Sequence, residues 1–113
     1  MALTYKMQNF TIDWTAPWQA ITAGQQALAI QRRLEHEITP AHRLFDKGAT
    51  AIGLRRDNDD VVAVLSNGTF VNVHLVWGSE PEPFPDRYPD WFAYGTIESF
   101  ITAMRQDANE YNA

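Results

Sequence analysis

The chain has 113 residues, a formal net charge of −5, 45% hydrophobic and 20% charged residues, and no cysteine. These proportions exclude an intrinsically disordered protein, and a chain of this length has room for one hydrophobic core. The lack of cysteine excludes disulfides, thiolate catalysis and cysteine-based zinc sites. We therefore predict one small domain over residues 1–113.

The N-terminus has neither the basic start nor the apolar run of a signal peptide, and no apolar stretch approaches the roughly 20 residues that span a bilayer. We therefore expect a cytoplasmic protein without a membrane partner. Residues 1–77 hold seven acidic and seven basic side chains, whereas residues 78–113 hold seven acidic and two basic ones. This balance disfavours nucleic-acid binding and suits a basic protein partner, although the same charge also keeps a small protein soluble.

The first third of the chain is predicted to be mainly helical. The segment Met1–Asp13 alternates only partly, so it is interpreted as either an edge strand or an ordered arm. Thr15 is the predicted N-cap of a helix with Pro17 in its first turn. Apolar residues near helical spacing continue this helix to Ile38, and Pro40 ends it.

Three β-strands are predicted in the middle of the chain. They are Ala49–Arg56, Val61–Leu65 and Phe70–Trp77, and the acidic segment Asp57–Asp60 forms the turn between the first two. The dipeptide Asn67-Gly68, between the second and third strands, is typical of a two-residue hairpin turn, which needs φ > 0 at both positions.

The predicted turn fixes which side chains of the hairpin share a face. A two-residue loop places Val61 opposite His74 and Val64 opposite Val71. The first face is then apolar and predicted to be the core, with Ile52 and Leu54 joining Val62, Val64, Val71, Val73, Leu75 and Trp77. The second face is mixed, and it combines Arg55, Asn72 and His74 with Val61, Ala63, Leu65, Phe70 and Val76.

The last third begins with a segment that contains four prolines, Pro81, Pro83, Pro85 and Pro89. Residues 78–90 are therefore predicted to form a long extended loop. The segment Trp91–Tyr94 is predicted to be a short strand, and Thr96 the N-cap of a C-terminal helix that frays near Ala108. The predicted fold is α+β, with a three- or four-stranded antiparallel sheet and an N-terminal and a C-terminal helix packed on one face.

Several of these features together resemble a group of small bacterial proteins of unassigned function that share a D-D-V turn and an H-L-x-W strand. In this chain the turn is Asp59-Asp60-Val61 and the strand is His74-Leu75-Val76-Trp77. The resemblance covers residues 28–111, including the proline-rich loop and the C-terminal helix. It implies a bacterial, cytoplasmic, stand-alone domain and brings no catalytic residues.

His74 is the most notable polar residue of the mixed face. With Asn72, Arg55 and a carboxylate of the Asp57–Asp60 turn, it is a candidate general base or ligand-binding group. The alternative, which we favour, is a half-buried histidine that only completes hydrogen bonds. The turn fails the EF-hand pattern, since the positions that need glycine and glutamate hold Val62 and Gly68.

The loop of residues 80–91 carries three large aromatic residues, Phe84, Tyr88 and Trp91. Rigid prolines and aromatic anchors are typical of a recognition surface, so these residues are candidate binding residues. The alternative is a lid whose aromatic rings are simply buried over one end of the core.

The sequence lacks the phosphate-binding, zinc-protease and nucleophile-elbow motifs, and no cofactor or metal is expected. A small protein-binding module, for example an immunity-type protein that neutralises a toxin, is therefore the favoured function. The alternative is a small hydrolase or ligand-binding domain that uses His74. A homodimer formed through the mixed sheet face is a third possibility.

Overall fold

The computed structural model describes residues 11–22 and 24–113 and has an α+β fold with one antiparallel sheet of five strands. The predicted class is confirmed, although the sheet has more strands than expected. The strands lie in chain order: β1 (Trp18–Ala20), β2 (Thr50–Arg55), β3 (Asp60–Val64), β4 (Phe70–His74) and β5 (Asp90–Gly95). Helix α1 (Gln25–Glu37) lies between β1 and β2, and helix α2 (Ile97–Tyr111) follows β5.

Residues 1–10, on which most of the strand-or-arm prediction falls, lie outside the described residues. Neither helix in the described part of the chain has the length and hydrophobicity needed to cross a membrane.

Each face of the sheet carries its own core, so the prediction that both helices pack on one face is wrong. Neighbouring residues of a strand point to opposite faces, and β3 is apolar on both. The α1 core consists of Ile30, Leu34, Ile38, Leu44, Val61, Ala63, Leu65, Val71, Val73 and Leu75. The α2 core consists of Trp18, Val62, Val64, Phe70, Phe100 and Met104.

The β3–β4 hairpin has a three-residue loop, not the predicted two-residue turn. Gly68 has a φ of 88°, whereas Asn67 does not adopt a positive φ. The N–H of Gly68 donates to the carbonyl of Leu65, and the N–H of Leu65 donates to the carbonyl of Thr69, both at 2.9 Å. This geometry needs one left-handed residue, which glycine supplies without strain.

The longer loop moves the hairpin register by one residue from the predicted one. Val61 lies opposite Val73, and Val64 lies opposite Phe70. A shift of one residue transfers every β3 side chain to the other face. The predicted pairing of the two faces is therefore wrong, and His74 lies opposite Asp60.

The predicted N-terminal helix is also wrong in its first half. Trp18 lies in a strand, opposite Arg55 of β2, and its side chain is buried in the α2 core. Its Nε1 donates to Oδ2 of Asp107 on α2 at 2.9 Å. Burial of this large ring and its polar contact outweigh the local preference for a helix at Pro17.

The C-terminal part follows its prediction closely. Residues 75–89 contain no helix or strand, and β5 covers the predicted short strand. The Oγ1 of Thr96 accepts a hydrogen bond from the N–H of Ser99 at 3.1 Å, as expected of an N-cap. The helix does not fray near Ala108, because Ala108 is buried and α2 continues to Tyr111.

Candidate functional site

A polar network occupies the α2 face of the sheet, where β3, β4 and β5 run side by side. The buried amide of Asn72 donates from Nδ2 to Oδ2 of Asp60 at 3.1 Å and to the hydroxyl of Tyr94 at 3.0 Å. The other oxygen of Asp60, Oδ1, lies 2.6 Å from Nδ1 of His74. The amide therefore positions the carboxylate, and the carboxylate positions the imidazole.

Tyr94 has the largest change in acidity in this network. Burial raises the pKa of Tyr94 to about 12, and the negative charges of Asp107 and Asp60 act in the same direction. The hydrogen bond from Asn72 and the charge of Arg55 oppose this rise in pKa. At neutral pH the hydroxyl is therefore protonated, and it accepts from Asn72 while keeping its own proton for donation.

Arg55 lies beside the network but is already paired. Its Nε and Nη2 donate to the two carboxylate oxygens of Asp57 at 2.6 and 3.1 Å, and its Nη1 lies 3.3 Å from Oδ2 of Asp107. The hydrogen bond between Arg55 and Asp57 raises the pKa of Arg55 and lowers the pKa of Asp57. Arg55 therefore connects β2 to α2, with little of its guanidinium left for a ligand.

His74 is the part of the network that solvent reaches, because its side chain is about half exposed. A carboxylate at Nδ1 favours the tautomer with the proton on that nitrogen and leaves Nε2 as an acceptor. This is the arrangement of a general base. No group of three or more potential metal-ligating side chains comes together among the described residues.

A cleft of about 460 Å³ lies between the C-terminal half of α1 and the loop of residues 75–89. Apolar atoms form most of its wall, from Val76, Pro81, Pro85, Tyr88 and Pro89. Its polar lining includes Arg33, Glu37, Glu80 and Glu82. The cleft is separate from the polar network, since His74 and Asn72 do not line it.

The loop is fixed to α1 at its first end. The carboxylate of Glu37 accepts hydrogen bonds from the N–H groups of Val76 at 2.8 Å and Trp77 at 2.9 Å. Arg33 donates to Glu37 at 2.5 Å and to the carbonyl of Gly78 at 2.7 Å, and its guanidinium carbon lies 5.6 Å from the centre of the Trp77 ring. Two charged residues one helical turn apart therefore fix three consecutive loop residues.

A buried histidine fixes the other end of the loop. Nδ1 of His42 accepts from the N–H of Leu44 at 3.0 Å, so its proton lies on Nε2. That nitrogen lies 2.8 Å from the carbonyl of Pro89, to which it donates. Both ring nitrogens of His42 are thus used to hold the connector after α1 against the end of the loop.

At and between these two attachments the loop exposes four apolar side chains, which we call the loop surface. Val76, Trp77, Phe84 and Tyr88 have exposed fractions of 47%, 46%, 53% and 44%. Single exposed apolar residues are common, but four on one fixed loop are typical of an interaction site. Val76 and Tyr88 also line the cleft, so the loop surface and the cleft adjoin.

The structure brings together some of the six predicted site residues. Arg55, Asn72 and His74 lie around one polar network, and Phe84 and Tyr88 are exposed on the loop. Trp91 is separate, because it is partly buried against the α1 core on the opposite face from Asn72. The packing of Trp91 matches the alternative interpretation of the loop, in which the aromatic rings are buried over the core.

The residues of the predicted mixed face lie on both faces of the sheet, since Val61, Ala63 and Leu65 belong to the α1 core and Phe70 belongs to the α2 core. Sequence reasoning left open which carboxylate of the Asp57–Asp60 turn contacts His74, because the register error separated Asp60 from His74. It missed Tyr94 as a member of the network. It missed Arg33 and Glu37 as well, although their spacing of four residues on a helix was a usable signal. Comparisons with protein-family models, curated proteins and solved structures found no match, so the function is inferred from geometry alone.

Proposed function

We propose that the protein is a protein-binding module whose contact surface is the loop surface together with the adjoining cleft. The observation that carries this proposal is the combination of fixation and exposure in one loop. Polar contacts hold residues 76–78 and 89 in place, yet the residues between and beside them expose large apolar side chains.

A loop fixed in this way loses little conformational entropy when a partner binds. Ordering a rotamer-rich side chain at an interface costs roughly 0.5–1.5 kcal/mol, and a preformed surface avoids part of this cost. Aromatic residues are the usual energetic anchors of interfaces. Burial of Trp77, Phe84 and Tyr88 against a partner would therefore supply most of the binding free energy.

The charge around the loop supports a basic protein as the partner. Residues 78–90 contain four carboxylates and one arginine, so the loop surface lies in a negative field. Such a field speeds the approach of a basic protein and disfavours acidic ones. An immunity-type protein that binds and neutralises a basic toxin is one concrete form of this function.

The test is capture of a partner from a lysate of the source organism, comparing two triple variants with the wild type. The first variant, Trp77→Ser, Phe84→Ser and Tyr88→Ser, removes the aromatic part of the loop surface. The control, Leu28→Ser, Phe45→Ser and Tyr111→Ser, removes side chains of similar exposure, 50%, 45% and 46%, from other parts of the molecule. We expect a stoichiometric basic partner that the wild type and the control retain and the first variant loses. Equal capture by both variants would contradict the proposal.

A second candidate function is hydrolysis or small-ligand binding at His74, favoured by the 2.6 Å contact between Asp60 and His74. It predicts that wild-type protein hydrolyses an activated ester faster than His74→Gln, with Asp60→Asn between them. The exposed His36, which has no side-chain hydrogen bond in the described structure, provides the control variant His36→Gln. Equal rates for His74→Gln and His36→Gln would eliminate hydrolysis at His74.

A further inference from the structure

On the basis of the proposed protein-binding function, we infer that the cleft receives a bulky apolar side chain of the partner, with a neighbouring arginine or lysine of the same segment paired to the acidic rim at Glu80 and Glu82. The occupant is thus an apolar residue flanked by positive charge on a basic protein.

The size and lining of the cleft define the apolar part of this occupant. Its volume of about 460 Å³ is within the usual range of ligand pockets, about 300–1,000 Å³. Val76, Tyr88 and three prolines present apolar atoms to it. Burial of apolar area is worth about 25 cal/mol per Å², so a large aliphatic or aromatic side chain gains most from such a wall.

The charged groups of the cleft define the rest of the occupant. Arg33 and Glu37 form an ion pair with each other. Arg33 also donates to the carbonyl of Gly78, and Glu37 accepts from the N–H of Val76, so the charges of both residues are already compensated. Glu82 uses Oε2 for the N–H of Phe84 at 3.1 Å, which leaves its other oxygen for a further donor. Glu80 makes no side-chain hydrogen bond or ion pair with any other described residue. The lining has one further basic side chain, that of His36, against the two unpaired carboxylates of Glu80 and Glu82, so the complement of the rim is a cation.

The inference is tested with three acetylated, amidated pentapeptides that differ only in their central residues. The probe has the sequence Gly-Arg-Leu-Arg-Gly, one control replaces both arginines with glutamate, and the other replaces leucine with glycine. Binding is followed by ¹⁵N–¹H NMR of the full chain. We expect the probe to shift the amides of Gly78, Ser79 and Tyr88 and to bind at least about tenfold more tightly than either control.

A charge-reversed variant tests the acidic rim directly. Glu80→Lys is expected to weaken probe binding by about tenfold and to reduce partner capture, whereas Glu110→Lys, an exposed acidic residue on α2, leaves both unchanged. Equal binding of the three peptides, or shifts confined to another part of the molecule, overturns the inference. If Glu80→Lys retains the partner that the aromatic triple variant loses, the inference is wrong and the proposed function stands. If the aromatic triple variant retains the partner, the proposed function itself is wrong.

Discussion

At the scale of single residues, Gly53 allows an aromatic ring to lie directly on the sheet. A Cβ at this position would lie 2.4 Å from two ring carbons of Trp14 and 2.7 Å from Cγ1 of Val62. Gly53 also borders the irregularity in the β2–β3 register between Ala51 and Gly53. The absence of a side chain therefore lets the chain before β1 pack against the α2 face.

We predict that Gly53→Ala lowers the free energy of unfolding by about 1–3 kcal/mol, because the added methyl group displaces the Trp14 ring. Gly78→Ala is the matched control, since its Cβ would have its nearest neighbour at 3.6 Å and its φ is not positive. Its effect should stay within about 0.5 kcal/mol. Urea denaturation of the two variants measures both values, and equal losses would contradict the role assigned to Gly53.

Tyr94 makes stability depend on pH in the alkaline range. Its pKa is about 12 in the folded protein, against an ordinary value of 10.0. The unfolded chain therefore loses this proton first as pH rises, and the free energy of unfolding decreases between about pH 10 and 12. Because the hydroxyl is only partly buried, we predict a loss of about 1–2 kcal/mol over this window.

Urea denaturation from pH 9 to 12 tests this prediction. Tyr94→Phe is expected to be less stable at neutral pH, because Asn72 loses an acceptor, and to show a shallower decrease in stability with pH. Tyr111→Phe removes an exposed tyrosine and leaves the network intact, so it should retain the wild-type slope. Identical slopes for wild type and Tyr94→Phe would show that burial does not perturb this hydroxyl.

At the scale of secondary-structure elements, α2 shows a helix whose position local chemistry determines. Thr96 caps its first turn through the N–H of Ser99, and Phe100 and Met104 follow at helical spacing on the buried face. These signals lie within ten residues of sequence, which is why this helix could be predicted with its correct start.

We predict that Thr96→Ala lowers the free energy of unfolding by about 1 kcal/mol, because the N–H of Ser99 in the first turn loses its acceptor. Thr102→Ala makes the same chemical change at an exposed position inside α2. It should be neutral or slightly stabilising, since alanine has the higher helix propensity. A comparison of the two variants by thermal or urea unfolding separates the effect of losing the N-cap from the general effect of replacing threonine with alanine.

The elements that sequence reasoning placed wrongly depend on contacts between distant residues. β1 forms because Trp18 is buried under α2, whose Asp107 is 89 positions away. Nothing near Pro17 in the sequence indicates this contact, so the local helix signal prevailed. The hairpin register failed for a subtler reason, since Asn67-Gly68 fits both a two-residue loop and a three-residue loop with glycine in the left-handed position.

In the candidate sites, too, some residues could be identified from local sequence and others depend on contacts between distant residues. Asn72 and His74 could be identified from sequence because polar residues in an apolar strand are conspicuous. Their partners Asp60 and Tyr94 depend on register across three strands, and the cleft depends on a loop held by Glu37 and His42. A sequence pattern of period two does not reveal these relations.

At the scale of the whole molecule, the central strand β3 belongs to both cores. Val61 and Ala63 face the α1 core, and Val62 and Val64 face the α2 core, all of them fully buried. Loss of either core therefore exposes one face of the same strand. The two cores are coupled through shared backbone, and the domain should unfold as one unit.

We predict that Leu34→Ala in the α1 core and Met104→Ala in the α2 core each lower the free energy of unfolding by about 2–5 kcal/mol. In both variants the urea midpoint should fall while the m-value stays at the wild-type level, because the surface exposed on unfolding is unchanged. Far-UV circular dichroism and tryptophan fluorescence, to which Trp18 and Trp91 contribute from opposite faces, should give coincident transitions. A lower m-value or separated transitions in one variant would mean that one core unfolds first, and the shared strand would then not couple them. Coincident transitions in both variants would mean that the two cores unfold as one cooperative unit. Stabilisation of any part of such a unit raises the free energy of unfolding of the whole, so a partner bound at the α1 side would also stabilise the α2 side.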